Sequence, residues 1–240
     1  RNLLTDPCWS AKDLGEPLPS RPHAVSVALP RWEDIIAYEE KLPACINSLK
    51  AIYPRFGFNS FVAELSRKSL ALYGESQQSS WPYPNRASAL SAQEYCLREN
   101  SDCFSKTIDF LGVSCLIVDK NSTSSAKAFW QHTGLGLSSR EAAIALGKEK
   151  KPLASEANHA RDEILKRLGT MYDCDYNLVR LYRSGMAALT TTLAAIKYIK
   201  GNNSILQIGF PYVDVLKLPQ IIFEGSDLIV QTKLSHIKKE

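Results

Sequence analysis

The stretch from Leu178 to Phe210 constrains the fold more than any other part of the chain. Leu178–Tyr182 reads as a short strand. Ser184 then stands where a helix N-cap is needed, with a hydroxyl able to accept from a first-turn N–H. From Met186 to about Ile199 the residues favour a helix, with Ala187, Ala188, Leu193, Ala194 and Ile196 among them. Lys197 and Lys200 place positive charge in its last turn, and Gly201 ends it. Ser204–Phe210 reads as the next strand. Strand, helix and strand in that order predict an α/β unit in a mostly parallel sheet.

The rest of the chain is read with lower resolution. His23–Leu29 alternates as a strand, Trp32–Glu40 reads as a helix between Pro30 and Pro43, and Ser60–Leu72 keeps helical spacing. The Ser-rich stretch Gly74–Asn85 reads as a loop and an internal boundary. Leu111–Val118 reads as a buried strand, Asp119–Ser125 as a loop, and the segment from Gly134 to Gly147 as irregular. Ser155 can cap a helix whose apolar face holds Ala160, Ile164, Leu165 and Leu168, with Gly169 stopping it. The tail Lys238-Lys239-Glu240 reads as a solvated end. The division expected is an N-terminal α/β region over 1–125 and a second α/β domain over 126–240.

Composition removes several classes of function. In 240 residues, 29 Lys and Arg face 25 Asp and Glu, and a net charge of +4 without a basic block does not predict nucleic-acid binding. The longest apolar stretch, Phe110 to Val118, is about half the ~18 residues a membrane span needs. Arg1 opens the sequence without a charged-then-apolar leader, and residues upstream are expected to be missing from it. Cys8, Cys45, Cys96, Cys103, Cys115 and Cys174 form no C-x-x-C pair, so buried free thiols and a cytoplasmic setting are expected, with no metal site.

The turn Arg183-Ser184-Gly185-Met186 suits an anion, because a helix N-terminus has unpaired N–H groups and the positive dipole end. Gly185 lets the backbone approach a phosphate closely. By spacing alone, a simple N-cap is the default reading.

Several segments carry a resemblance. Ser184-Gly185-Met186-Ala187-Ala188 resembles the phosphate-cup motif of Cys/Met-metabolism enzymes that use pyridoxal 5'-phosphate. Leu14–Pro19, Pro22-His23-Ala24-Val25-Ser26-Val27-Ala28-Leu29-Pro30, Tyr38-Glu39-Glu40 and Tyr53-Pro54-Arg55-Phe56 look like the N-terminal region of fungal-type cystathionine gamma-synthases. Phe129-Trp130-Gln131-His132-Thr133-Gly134, Gly136–Arg140 and Gly209-Phe210-Pro211-Tyr212-Val213-Asp214 are similar to later stretches of the same family.

The resemblance implies an incomplete large domain of an aspartate-aminotransferase-like, fold type I transferase, preceded by the N-terminal α/β region. It implies pyridoxal 5'-phosphate as cofactor, amino-acid substrates, transsulfuration toward methionine by joining cysteine to an activated homoserine, and a homo-oligomer for the full-length enzyme. Ser184, Gly185 and Met186 would hold the phosphate, and Tyr212 would stack on the pyridine ring. Gln131–Arg140 lies where relatives send a Tyr/Arg pair to the neighbouring subunit's phosphate; the pattern differs, leaving His132 or Arg140 against the default of a solvent-facing arginine. In relatives the Schiff-base lysine and the acid at the pyridinium nitrogen lie far beyond the stacking tyrosine. This chain ends 28 residues after Tyr212, where Lys217 and Lys233 do not match the family lysine, and Asp214 is no substitute for the acid. A fragment inactive by itself is therefore expected, with a non-catalytic module or a protein binding another phosphorylated molecule as alternatives.

Overall fold

The computed structural model describes residues 2–223 and 228–233. In chain order the elements are β1 Pro17–Leu18, β2 Ser26–Val27, α1 Trp32–Glu39, α2 Pro43–Ser48, α3 Ser60–Tyr73, β3 Ser79–Tyr83, α4 Arg86–Glu99, β4 Ser105–Phe110 and β5 Val113–Val118. Then come α5 Thr123–Thr133, α6 Ser139–Ala145, α7 Ala154–Met171, α8 Gly185–Lys200, β6 Ile205–Ile208, α9 Leu218–Ile222 and β7 Leu228–Gln231.

The organising element is β5, whose six residues are all buried. It is the middle strand of an antiparallel sheet ordered β3-β5-β4. Successive side chains of a strand point to opposite faces. Val113, Cys115 and Ile117 accordingly pack with Val62 and Leu65 of α3 and Ala142 of α6. Leu116 and Val118 face the other way, into a cluster with Ala89, Ala92 and Cys96 of α4 and Ala126, Phe129 and Trp130 of α5. Small residues on α4 bring that helix close to the sheet, while the rings of Phe58, Trp81 and Trp130 pack edge-on or tilted over its end.

Several sequence expectations change here. The stretch read as a loop over Gly74–Asn85 contains β3, an edge strand on which Trp81, Pro82 and Tyr83 are buried. Pro82 cannot donate to a ladder, and an edge position tolerates it; its carbonyl instead accepts from Leu137 N at 3.1 Å. The strand expected from Leu111 begins at Val113, because Leu111 and Gly112, both at positive φ (51° and 78°), form the two-residue hairpin turn from β4. Asp119–Ser125 is a short helical turn leading into α5 rather than a loop, and the residues on either side of 125 share that helix. Leu178–Tyr182 is not a strand: residues 176–178 form a 3-10 turn and the chain then runs irregularly to Ser184.

The mostly parallel sheet is likewise not what the described residues form. Two of their sheets are antiparallel, and only the two-stranded β6-β7 pair is parallel. The antiparallel order follows from the tight β4-β5 hairpin, which a parallel pair cannot use. Trp32–Glu39, Ser60–Tyr73 and Gly185–Lys200 form as helices close to their expected bounds. Helix α7 starts at Ala154 instead of being capped by Ser155, and it runs past Gly169. Its expected apolar face is open, with Ile164 48 % exposed; only Gly169 is buried, where a Cβ would stand 2.9 Å from the Cys174 carbonyl oxygen. Cys45, Cys96, Cys103 and Cys115 are buried free thiols, whereas Cys174 is exposed. Burial pushes the Cys96 thiol up to about 12, with Cys103 adding to it. No helix among the described residues is long and apolar enough to cross a membrane. The tail Lys238–Glu240 lies outside the described residues.

One core group lacks its partner. The Tyr83 hydroxyl is fully buried and meets no hydrogen-bond partner among the described residues, a situation that costs about 1–3 kcal/mol. Tyr83→Phe is expected to raise stability by about 1 kcal/mol, read as a higher urea midpoint at unchanged slope.

Candidate cofactor-phosphate cleft

The approach of α5 to α8 builds the site. Helix α5 ends at Gly134, which takes the left-handed conformation at φ 67°. A Cβ there would lie 2.6 Å from Ser184 Oγ, 2.8 Å from Ala187 N and 2.8 Å from Met186 Cβ. Any side chain at this position would therefore push α8 away. The two helices are also stitched together inside the core, where Thr190 Oγ1 donates to the Thr133 carbonyl at 2.9 Å.

At the start of α8, Ser184 acts as the N-cap that the sequence predicts. Its Oγ accepts from Ala187 N at 3.1 Å, and its carbonyl accepts from Ala188 N at 3.0 Å. The N–H groups of Gly185 and Met186 meet no acceptor among the described residues. A Cβ on Gly185 would have nothing within 4 Å, so glycine leaves open space beside those two donors. The arrangement is a helix N-terminus prepared for an anion.

This terminus opens into a cleft of about 800 Å³. The cleft brings together Ser184, Gly185, Met186 and Tyr212, along with Arg55, Arg140 and Arg183. Arg183 pairs with Glu141 at 3.0 Å, whereas Arg140 is exposed and makes no ion pair among the described residues. Tyr212 precedes a 3-10 turn over Val213–Leu216 and is half exposed to the cleft.

A buried carboxylate holds the Tyr212 side of the cleft. Asp214 Oδ1 lies 2.9 Å from His132 Nδ1, and Oδ2 lies 2.8 Å from Arg55 Nε, an ion pair without the alignment of a good hydrogen bond. The Asp214 side chain is 2 % exposed. Arg55 Nη1 in turn donates to the Tyr212 hydroxyl at 3.0 Å, and its guanidinium carbon lies 5.3 Å from the Tyr212 ring centre. Burial raises the Tyr212 hydroxyl above its ordinary value, and the neighbouring Asp214 raises it further.

His132 thus reaches Asp214 rather than serving as a free phosphate ligand, and Arg140 lines the cleft. Lys217 and Lys233 are exposed and do not line it; no lysine does among the described residues. The donor set fits the phosphate and one ring face of pyridoxal 5'-phosphate, through two open amides and an aromatic side chain. It offers no amine for a Schiff base. Sequence reasoning missed Arg55, which it took only as part of the Tyr53–Phe56 segment, and gave Asp214 no role. The acid-base complementarity of Arg55 and Asp214 carries no local pattern across a separation of 159 positions.

Comparison with known proteins finds relatives among the transsulfuration enzymes. Residues 61–138, from α3 to the N-cap of α6, match the family described as "Fungal trans-sulfuration enzyme, N-terminal domain". The chain is 29% identical over 150 residues to the cystathionine gamma-synthase of Saccharomyces cerevisiae, covering 55% of this chain and 24% of that protein. It is 27% identical over 167 residues to the cystathionine gamma-synthase of Neurospora crassa, covering 59% and 27%. It is also 27% identical over 222 residues to the L-2-amino-4-chloropent-4-enoate dechlorinase/desaturase of Streptantibioticus cattleyicolor, covering 88% and 44%. Over this stretch and across these relatives, the chain is similar to the fungal-type cystathionine gamma-synthase family. Enzymes of that family depend on pyridoxal 5'-phosphate. The chain spans under half the length of these relatives, and no solved structure gives a significant match.

The buried carboxylate makes a direct prediction. Asp214→Asn removes the charge that Arg55 and His132 face, and is expected to destabilise the chain by about 3 kcal/mol, measured by urea unfolding. The same change should bring the Tyr212 titration, followed by ultraviolet absorbance, part of the way back toward an ordinary tyrosine. In the wild type, the raised hydroxyl contributes stability that is complete below the unfolded-state tyrosine value and is lost as pH rises through the folded-state value.

Proposed function

We propose that this chain carries the phosphate and ring-stacking half of the pyridoxal 5'-phosphate cradle of a cystathionine gamma-synthase-like enzyme of fold type I. The observation that carries this reading is the pair of open amides at Gly185 and Met186, facing the same cleft as Tyr212. The Gly185 and Met186 N–H groups bind the phosphate oxygens, assisted by the positive end of α8. Tyr212 covers one face of the pyridine ring, and Arg55 and Asp214 hold the tyrosine in place. When bound, the cofactor supplies an electron sink for reaction at an amino-acid substrate.

By this reading the whole enzyme joins cysteine to an activated homoserine in transsulfuration toward methionine. Its setting is cytoplasmic, its assembly is a homo-oligomer, and nucleic acid and membrane are not its partners. Among the described residues, no group in the cleft is able to form the Schiff base or shuttle its proton, so this chain on its own binds without turning over. The alternatives, a non-catalytic module or a site for another phosphorylated molecule, use the same α8 terminus without needing Tyr212.

Cofactor binding separates them. Pyridoxal 5'-phosphate added to the chain is expected to bind at one site, followed by quenching of tryptophan fluorescence. Gly185→Val and Tyr212→Ala are each expected to weaken binding at least tenfold, since the former fills the phosphate space and the latter removes the stacking face. Loss from Gly185→Val with none from Tyr212→Ala would point to another phosphorylated ligand. Borohydride reduction followed by mass analysis should find no stoichiometric lysyl adduct; such an adduct together with turnover would overturn the account.

A further inference from the structure

The cleft holds a second arrangement that cofactor binding leaves unused. His23 Nδ1 lies 2.9 Å from Ser139 Oγ, and His23 Nε2 lies 2.6 Å from Glu149 Oε1. An ionised carboxylate only accepts, so in the neutral ring the proton sits on Nε2 and points at Glu149. Nδ1 then presents its lone pair to Ser139, and the serine hydroxyl donates to it. A serine aligned on a histidine base, with the base oriented by a carboxylate, is the geometry of an activated nucleophile.

The surroundings hold this alignment. Asn59 Nδ2 donates to the Pro22 carbonyl at 3.1 Å, fixing the backbone just before His23. The Phe61 ring packs on the imidazole with 5.5 Å between centres, and the His23 side chain is 12 % exposed. Ser138 and Glu141 already form the capping box of α6, so the Ser139 hydroxyl has no capping role. His23 and Ser139 both line the cleft, as does Arg140 next to the serine.

We propose that Ser139, His23 and Glu149 form a nucleophile relay that takes acyl groups from activated carboxylic esters. Ser139 Oγ bonds to the carbonyl carbon while its proton moves to His23 Nδ1. The ester C–O bond breaks, and the proton leaves with the alcohol. Water then displaces the acyl group as a carboxylic acid and returns a proton to the serine oxygen. Glu149 is a positioning residue that stays ionised and holds Nε2–H. Arg140 supplies positive charge on the same wall for the carbonyl oxygen as it becomes anionic.

The test uses the full chain and two probes, a fluorophosphonate and 4-nitrophenyl acetate. Peptide mass analysis is expected to find one phosphonyl adduct, on Ser139, and ester hydrolysis above the buffer rate. Ser139→Ala should abolish both. Glu149→Gln, whose amide can donate to Nε2 and reverse the tautomer, should slow labelling at least tenfold, with an unchanged far-UV spectrum and melting curve. An unlabelled Ser139 in the folded wild-type chain, an adduct on another serine alone, or a labelling rate that Glu149→Gln leaves unchanged would each overturn the proposal.

Discussion

A single carboxylate, that of Asp214, joins three parts of the chain that are remote in sequence. Arg55 comes from the loop before α3, His132 from the last turn of α5, and Asp214 itself from the turn after β6. Removing a carboxylate from water costs several kcal/mol, so it stays buried only where cations and hydrogen-bond donors replace the water. That requirement makes the junction directional. Arg55 must extend into the cleft to meet Asp214, and in doing so it reaches the Tyr212 hydroxyl. The orientation of the tyrosine over the cleft is thus a consequence of neutralising a neighbouring charge.

The opposite wall depends on backbone proximity instead of charge. Helix α5 is fixed from below by Phe129 and Trp130, which sit in the core on the sheet. Its end at Gly134 meets the start of α8 so closely that a Cβ would overlap Ser184 and Met186. The far end of α8 is held by Lys197 Nζ, which donates to the Ile222 carbonyl at 2.8 Å. Between these points α8 buries only Ala187 and Thr190, while Tyr198 and Ile199 are largely open. The position of the two open amides therefore rests on a few close contacts, Gly134 foremost among them, rather than on a broad apolar face.

Sequence made some of this legible because some of its causes are local. The Ser184 cap and the helix after it follow from residues adjacent in the chain, and so do α1 and α3. The sheet did not follow in the same way. Trp81-Pro82-Tyr83 reads as a turn when Pro is taken as a breaker, yet an edge strand with its proline carbonyl turned to Leu137 satisfies the same residues. The Leu178–Tyr182 run has strand-like composition but no neighbouring strand to pair with among the described residues, and pairing is what a strand requires. Arg55, Asp214, His23 and Ser139 are ordinary polar residues in one dimension. Their roles come from contacts across 82 to 159 positions, which neither periodicity nor spacing can encode.

The net charge of +4 is too diffuse to predict a polyanionic partner, but the cleft shows how little a total charge says about a site. Within it, Arg55 is matched by Asp214 and Arg183 by Glu141, while His23 is hydrogen-bonded to Glu149. Arg140 and the N–H groups of Gly185 and Met186 remain unmatched among the described residues. Uncompensated positive potential is therefore concentrated where α8 begins, in a concavity that excludes part of the screening solvent. A small dianion would gain most there, because the amides and the dipole are already oriented and need no rearrangement to bind it. The same potential would favour an ester carbonyl as it turns anionic at Ser139. Two different chemistries can then share one electrostatic design, with ligand shape deciding between them.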